Sequence, residues 1–429
     1  MTVDQESRRF RVVGNRIAWS FVPFVALAQA LQLAFPVPGV RWLTFEVIVF
    51  GIIAAVTSPW WWRRRRELSP TARLAVLAFL VMMGYAVVSL LLHDPPEVVS
   101  PGGGPVPRVH VAVPILSSLF AMLSGVGFVL AAERGKRLKI LTWGGLAAVV
   151  VAFAGWPIQS AYRGYVRLAT GQGGAAIIHV MFLLIVAFGL AQFLRRTRPR
   201  LALGLVVGGL GAVIATQSRG AILNIGAWLA LVAVGWLVRN PKDARRLWPL
   251  GAAVAAGLAV VSFLPGLERM LSFEEPKRAE NLETALTIWS SDAPTAILGT
   301  GPGQVWPWWA YESGLYPMPG EYWSFVSHPE GDLLLTPHST PLAMLVELGL
   351  PGALLGLVMG VCLAVGWWRS RTTLPRLVVA SATLACLVAF LVDTYLVRNF
   401  GISMWWWASV ALVSTWDDEP VAAPKTSEL

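Results

Sequence analysis

Three residues of this 429-residue chain carry side chains with useful chemistry: Arg219 and His338, which stand next to long apolar segments, and Arg278 in the stretch between them. A neutral imidazole can accept a proton from a hydroxyl group near pH 7, so His338 is a candidate general base. A guanidinium group donates paired hydrogen bonds to phosphate oxygens, so the two arginines are candidate anion ligands. Each residue also has a structural interpretation. Arg219 can reach lipid headgroups, Arg278 can be a solvated residue of a helix face, and a lone histidine is more often structural than catalytic.

A glycine-rich stretch between Arg278 and His338 reads "ILGTGPGQVWPWWAYESG". Gly301 and Gly303 predict a tight turn whose backbone N–H groups are exposed. The stretch is not a nucleotide-binding P-loop, because no Lys-Ser/Thr pair follows the glycines. Trp306 belongs to a dense aromatic group that either stacks on sugar rings or lies in the membrane interface.

The polar neighbours of His338 leave its role open. His328 is an alternative base, and Ser339 follows His338 directly. Glu347 lies inside the next apolar segment, where a carboxyl group is a functional candidate. A continuous helix would separate His338 from Glu347 by about 13 Å, so we expect Glu347 to tie helices together.

Membrane helices must position these residues. Hydrophobic residues make up 56% of the chain and charged residues 14%, whereas a soluble domain carries about 25% charge. Apolar runs of about 20 residues recur along the whole length, which predicts an all-α polytopic membrane protein. We expect twelve transmembrane helices, at about 17–35, 43–61, 74–92, 110–132, 140–160, 175–194, 201–217, 221–238, 247–265, 340–367, 377–395 and 403–416.

The positive charge alternates with the apolar segments. Basic residues cluster in "RRRRELSPTAR", "ERGKRLK", "RRTRPR" and "RNPKDARR", whereas the opposite set of loops holds nine of the 34 Lys and Arg residues. Cytoplasmic loops of membrane proteins are rich in Lys and Arg, so we expect the basic set and both termini in the cytoplasm. The net charge of +10 is then a topology signal and a source of contacts with membrane lipids. It does not indicate nucleic-acid binding.

One loop on the opposite side is long. Residues 266–339 lie between the ninth and tenth expected helices and are rich in Trp, Tyr, Leu and Pro. Such a loop is usually functional when it is not disordered, and its composition favours a folded, partly helical segment, which we call the cap. The expected organisation is a membrane domain at 1–265, the cap at 266–339, membrane helices at 340–416 and a cytoplasmic tail at 417–429. No His or Cys cluster has metal-ligand spacing, so we expect no metal site.

Three motifs, in order, resemble the O-antigen ligase family. "RGAIL", which begins at Arg219, is similar to the Arg-x-x-x-Leu motif of that family at an outer membrane edge. Arg278 and the later "PTAILGTGPG" are similar to its second arginine and glycine-rich run, with a short insertion between the proline and the first glycine. His338-Ser339, nine residues and "GLPG" fit the pattern around its catalytic histidine. The motifs cover roughly residues 200–360, and the twelve-helix plan with a large late outer loop extends the resemblance to the whole chain.

The resemblance implies an all-helical, inverting membrane glycosyltransferase of the GT-C type that needs no metal or cofactor. The implied donor is a glycan on undecaprenyl pyrophosphate. The implied acceptor is a sugar hydroxyl of lipid A–core on the periplasmic side of the bacterial inner membrane. His338 would act as the base, and Arg219 and Arg278 would bind the pyrophosphate and stabilise its charge as it leaves. The further candidate substrate-binding residues are Gly301, Gly303, Ser339 and Trp306.

Two alternatives stay open. An O-antigen or exopolysaccharide polymerase, or a protein O-oligosaccharyltransferase, would share the donor and the motifs and differ in the acceptor. A transporter of polyprenyl-linked glycans would place polar residues at the bilayer midplane and show repeated halves. The polar residues of this chain are concentrated in one outer loop, which favours an enzyme.

Overall fold

The structure is a computed structural model that describes residues 3–34, 42–95, 106–163, 166–170, 172, 174–242, 275–312 and 325–417. Nine helices precede the cap in the described chain, and three follow it. The first set is α1 Val3–Trp19, α2 Phe21–Ala34, α3 Trp42–Arg64, α4 Pro70–Leu92, α5 Arg108–Ala131, α6 Arg137–Arg163, α7 His179–Leu194, α8 Pro199–Ala215 and α9 Arg219–Arg239. The second set is α13 Thr340–Arg369, α14 Leu374–Val392 and α15 Phe400–Ser414.

The chain is an all-α, multi-pass membrane protein in its main architecture. Among the described residues, α4, α5, α6, α9, α13 and α14 are long and apolar enough to cross a membrane. Helices α7, α8 and α15 are shorter apolar helices. The expected ninth helix at 247–265 lies outside the described residues, so the total of twelve stays a prediction.

Two of the short helices form the centre of the bundle. Helix α15 is buried along almost its whole length and packs against α5, α14 and α7. Helix α7 is likewise buried and packs against α8, α14 and α6. A helix that is apolar all round belongs in such a core. The buried indoles of α15 are anchored by hydrogen bonds, for example from Trp405 Nε1 to Gln172 Oε1 at 3.0 Å.

The described part of the cap contains three helices and one hairpin. They are α10 Pro276–Trp289, α11 Ala293–Leu298, α12 Trp308–Glu312, β1 Phe325–His328 and β2 Gly331–Leu334. The two strands are antiparallel, with Phe325 opposite Leu334 and His328 opposite Gly331. This hairpin is an addition to the all-α architecture that the sequence predicts. Helix α10 packs on β2 and on α13, so the cap rests on the membrane helix that follows it.

A break in α13 receives the glycine-rich stretch of the cap. The helix loses its regular geometry at Gly349, which has φ 61° and ψ −156°. Because of the break, the carbonyls of Val346 and Glu347 accept hydrogen bonds from outside the helix. They pair with the backbone N–H groups of Thr300 at 2.9 Å and Gly301 at 3.1 Å. The backbone of the glycine-rich motif therefore packs directly on α13 at the break that begins the "GLPG" motif.

Candidate active site

His338 lies where the cap re-enters the membrane domain, directly before α13. Ser339 caps that helix, because its Oγ accepts a hydrogen bond from the Leu342 backbone N–H at 3.3 Å. Pro341 occupies the first turn, where its missing N–H is tolerated. His338 itself has a φ of 51°, a left-handed conformation that is uncommon outside glycine and costs of order 1 kcal/mol or more. The Ser339 hydrogen bond at the start of α13 and the left-handed turn at His338 together fix the His338 side chain at the edge of the helix bundle.

Asp393 faces the imidazole of His338. The carboxylate Oδ1 lies 4.0 Å from His338 Nδ1, and both side chains are about one-tenth exposed. Asp393 directly follows the last residue of α14, and Thr340 holds this loop in place. The Thr340 hydroxyl donates to the Asp393 carbonyl at 3.2 Å and accepts from the Tyr395 N–H at 2.8 Å. The start of α13 and the end of α14 therefore position His338 and Asp393 as one unit.

Burial and two nearby positive charges keep His338 neutral. Burial lowers its pKa from 6.5 to about 4; Asp393 opposes this shift, and the charges of Arg278 and Arg398 add to it. Arg398 is held in turn by an ion pair with Glu312 of α12. At pH 7 the imidazole can therefore accept a proton.

Arg278 lies in the first turn of α10 and reaches the same loop. Its Nη1 donates to the carbonyl of Val392 at 2.7 Å. Val392 precedes Asp393, so this bond brings the guanidinium close to His338. Arg278 Nε also lies 2.9 Å from Glu275 Oε2.

Arg219 is the first residue of α9 and meets Arg278 through a shared partner. Its Nη2 forms an ion pair with Glu275 Oε1, so one carboxylate joins both arginines. Gly220 allows the start of α9 to lie against a buried histidine, because a Cβ there would lie only 3.2 Å from His179 Cε1. The structure thus brings Arg219, Arg278 and His338 to one end of the bundle, although they are far apart in sequence.

Asn281 joins the parts of the cap around His338. Its Oδ1 accepts hydrogen bonds from Trp306 Nε1 at 3.1 Å and from the Leu334 N–H at 3.0 Å. Its Nδ2 donates to the carbonyl of Pro337, the residue before His338, at 3.1 Å. The side chain is 1% exposed. This amide therefore ties α10, the glycine-rich stretch, the hairpin and the histidine turn together.

Gly301 and Gly303 differ from the expectation that their backbone N–H groups face a ligand. Both residues are buried. The Gly301 N–H donates to the Glu347 carbonyl at 3.1 Å, and the Glu347 side chain accepts backbone hydrogen bonds from Gly303, Val305 and Trp306. Their positive φ values of 98° and 74° serve close packing of the cap on α13. Glu347 joins α13 to the cap through these bonds.

Trp306 also differs from its expected role as a substrate contact. Its side chain is 0% exposed, and its indole N–H is used by Asn281. A ring packed on all sides cannot stack on a sugar, so its position is that of a core residue of the cap. The Ser339 hydroxyl, expected to contact substrate, accepts the hydrogen bond from the Leu342 N–H at the start of α13.

His328 is the last residue of β1, at the turn of the hairpin. Its Nδ1 accepts a hydrogen bond from the Glu330 N–H at 3.2 Å. Partial burial lowers its pKa, while Glu330 opposes the shift. The structure connects His338, not His328, to Asp393 and Arg278.

Sequence reasoning missed three residues of this site: Asp393, Glu275 and Asn281. The transmembrane helix expected at 377–395 includes Asp393, whereas α14 ends at Val392. An acidic residue at the end of an apolar run was the available signal. Glu275 stands one turn before Arg278, a spacing that favours an ion pair. Asn281 is a polar residue on the inner face of α10, and only the tertiary contacts reveal its role.

Comparison with known proteins supports the family suggested by the motifs. Residues 204–357 match the model of a protein family described as O-antigen ligase. The matched segment contains Arg219, Arg278, His338 and the break at Gly349. A search of curated proteins finds no match to the chain. Residues 204–357, which hold all three motifs, are therefore similar to the O-antigen ligase family.

Proposed function

We propose that the protein is an O-antigen ligase that transfers a glycan from undecaprenyl pyrophosphate to a sugar hydroxyl of lipid A–core. The observation that carries the proposal is the convergence of a neutral histidine with two arginines that share one anion. Arg219 and Arg278 both bind the Glu275 carboxylate, and the Arg278 charge acts on His338. A base for a hydroxyl and a cationic site for a leaving phosphate are the two functions that this transfer needs.

The proposed reaction is a single inverting displacement. The acceptor oxygen attacks the anomeric carbon from the face opposite the pyrophosphate, and its proton passes to Nε2 of His338. The bond between the anomeric carbon and the phosphate oxygen breaks, and the electron pair leaves with the pyrophosphate. Arg219 and Arg278 stabilise the charge that develops there. Asp393, on the Nδ1 side of the ring, stabilises the imidazolium that forms.

In this proposal the arginines supply the positive charge that many glycosyltransferases obtain from a metal ion. The energy of transfer is already stored in the glycosyl–phosphate bond of the donor, so no nucleotide takes part. The reaction therefore needs only the two lipid-linked substrates and the residues of this chain.

The proposed topology places this site at the periplasmic face of the bacterial inner membrane. Twelve helices of a GT-C-type architecture would leave both termini in the cytoplasm, with the membrane domain at 1–265 and 340–416 and the cap at 266–339. The alternation of basic loops supports this orientation. Both substrates are lipid-linked, so a base at the membrane surface is where a hydroxyl and a lipid pyrophosphate can meet.

A sister activity is the main alternative. A polymerase or a protein O-oligosaccharyltransferase would use the same histidine and arginines with another acceptor. The family description favours the ligase. A transporter is less consistent with a cluster of His338, Asp393 and the two arginines at one end of the bundle.

Reconstitution tests the proposal. Purified protein would receive undecaprenyl-pyrophosphate-linked glycan and lipid A–core in the presence of EDTA and without nucleotide. We expect glycan on lipid A–core, detected as a mobility shift of the acceptor. Longer chains on the lipid carrier would instead identify a polymerase, and passage of the donor across the bilayer without transfer would identify a transporter.

A further inference from the structure

The phosphate site of the proposed enzyme already holds an anion from its own chain. Glu275 directs one carboxylate oxygen to Arg219 and the other to Arg278 Nε, at 2.9 Å in the second case. The three side chains are 20%, 25% and 27% exposed, for Arg219, Glu275 and Arg278 respectively. The bridge is therefore reachable from solvent and is not part of the packed core.

A carboxylate and a phosphate compete for the same donors. Both present oxygen atoms that accept bonds from guanidinium groups, and a pyrophosphate brings more of these atoms and more charge. The pyrophosphate of a glycan donor bound to Arg219 and Arg278 would occupy the position of the Glu275 carboxylate. Two negative charges cannot share this position at low cost. Glu275 is the residue directly before α10, and its side chain makes no capping hydrogen bond to the helix, so the side chain can move without loss of a helix cap.

We propose that Glu275 is an exchangeable counter-ion of the phosphate site. It holds Arg219 and Arg278 in position while the site is empty, moves away when the pyrophosphate of the donor arrives, and returns when the lipid pyrophosphate leaves. This inference rests on the proposed function, because it concerns the same two arginines.

The exchange matters most for product release. After transfer, the lipid pyrophosphate has lost its glycan and carries a terminal phosphate, whose second ionisation lies near pH 6. The product is then more negative than the donor and binds the arginines more tightly. Return of Glu275 replaces the lost ion pairs, so it offsets part of the cost of release. Without it, turnover should become limited by product.

The test measures binding of undecaprenyl pyrophosphate to detergent-solubilised full-length protein. Glu275→Gln keeps the shape of the side chain and removes its charge. Glu280→Gln is the matched control, because Glu280 is an exposed residue of the same helix and the charge change is identical. We expect Glu275→Gln to bind the lipid about fivefold more tightly or better, and Glu280→Gln to bind as wild type does. In transfer assays Glu275→Gln should lose more rate in the later turnovers than in the first.

Arginine variants separate the two levels of the proposal. Suppose that Arg219→Gln and Arg278→Gln lose lipid binding while Glu275→Gln binds no better than wild type. The proposed role of Glu275 as a counter-ion is then wrong, whereas the phosphate site at the two arginines is supported. If the arginine variants bind as tightly as wild type, the phosphate site itself is wrong. Thermal unfolding of each variant checks its fold, and Glu275→Ala replaces Glu275→Gln if the glutamine variant does not fold. Weaker binding by whichever Glu275 variant is folded would also overturn the counter-ion proposal.

Discussion

Burial opposes the protonation of His338 more strongly than Asp393 favours it. The pKa of the imidazole falls to about 4, and the positive charges of Arg278 and Arg398 contribute to the fall. A base must be unprotonated to act, so the low pKa would let His338 serve as the proposed base over the whole neutral range. It also makes His338 a weak base, which suits a hydroxyl that loses its proton only as its oxygen bonds to the anomeric carbon.

The pH dependence of transfer should show this shift. We expect kcat/KM to be flat from about pH 5.5 to 8 and to fall as pH decreases through about 4, because protonation removes the base. Arg398→Gln removes a charge that lowers the pKa of His338, so the acid limb should move to higher pH. Asp393→Asn removes a charge that raises this pKa, so its limb should move to lower pH. A wild-type limb near pH 6.5, or shifts of the same sign in both variants, would contradict the assignment.

The residue types pointed to His338, Arg219 and Arg278, because a base and guanidinium groups carry their chemistry wherever they lie. The roles expected for Gly301, Gly303 and Trp306 depended on groups that are open to a ligand. The structure uses those N–H groups and that ring inside the cap. Whether a backbone N–H is satisfied is decided by tertiary contacts that a sequence does not display.

At the scale of elements, the break in α13 determines how the cap is held. A Cβ at Gly349 would lie 2.4 Å from the Gly299 nitrogen, and one at Gly299 would lie 2.4 Å from the Glu347 carbonyl oxygen. Both glycines have positive φ. The two backbones can approach only because neither residue has a side chain.

Gly349→Ala should therefore separate the cap from α13. We expect a loss of stability of more than about 2 kcal/mol, from backbone strain and from the clash with Gly299. The measurement is thermal unfolding in detergent, with transfer activity alongside. Gly360→Ala is the control, since it lies in the same helix and its nearest neighbour would be 4.0 Å away. Equal unfolding temperatures for the two variants would show that the close contact does not matter.

Asn281 should control activity through the Pro337 carbonyl. Asn281→Ala leaves the Trp306 indole N–H, the Leu334 N–H and the Pro337 carbonyl without their partner, which costs about 1–3 kcal/mol for each buried group. Both stability and kcat should therefore fall. Asn281→Asp keeps the acceptor for Trp306 and Leu334 but loses the donor to Pro337. We expect it to lower kcat with a smaller loss of stability. The control is Thr287→Ala, at an exposed position of α10, which should change neither the stability nor kcat. An Asn281→Ala variant with wild-type kcat would refute the positioning role of Asn281.

The helices themselves were largely predictable from hydropathy, because a membrane helix must satisfy its backbone internally and present apolar side chains. Their ends were less so. Moving one end from 395 to Val392 changes Asp393 from a residue inside a membrane to a partner of His338. The hairpin of the cap was not predicted, since its strands are four residues each and carry little periodicity.

For the whole molecule, the charge distribution and the position of the site together indicate how the protein is oriented in the membrane. Basic residues lie at one set of loops, and the base and the arginines lie at the other. Glu67, between α3 and α4, shows how the basic side is held together: Arg137 Nη2 lies 2.7 Å and Arg134 Nε 3.3 Å from the Glu67 carboxylate. Arg134 and Arg137 therefore form structural ion pairs on the basic side, whereas Arg219 and Arg278 form the proposed substrate site on the other side.

Cysteine labelling tests this orientation. Glu283→Cys, at an exposed position of α10, should react with a membrane-impermeant maleimide in intact spheroplasts. Lys136→Cys, whose lysine is 46% exposed at the start of α6, should react only after permeabilisation. The background should be low because Cys362 and Cys386 are buried. The reverse pattern would place the site on the cytoplasmic side.

The most direct test of the account compares two histidine variants in proteoliposomes with donor and acceptor. His338→Gln should lower kcat by about 10²–10⁴, the usual contribution of a general base, while binding of undecaprenyl pyrophosphate stays unchanged. His328→Gln, in the hairpin, should transfer glycan at the wild-type rate. Near-normal transfer by His338→Gln, or loss of transfer by His328→Gln alone, would contradict the assignment of His338 as the base.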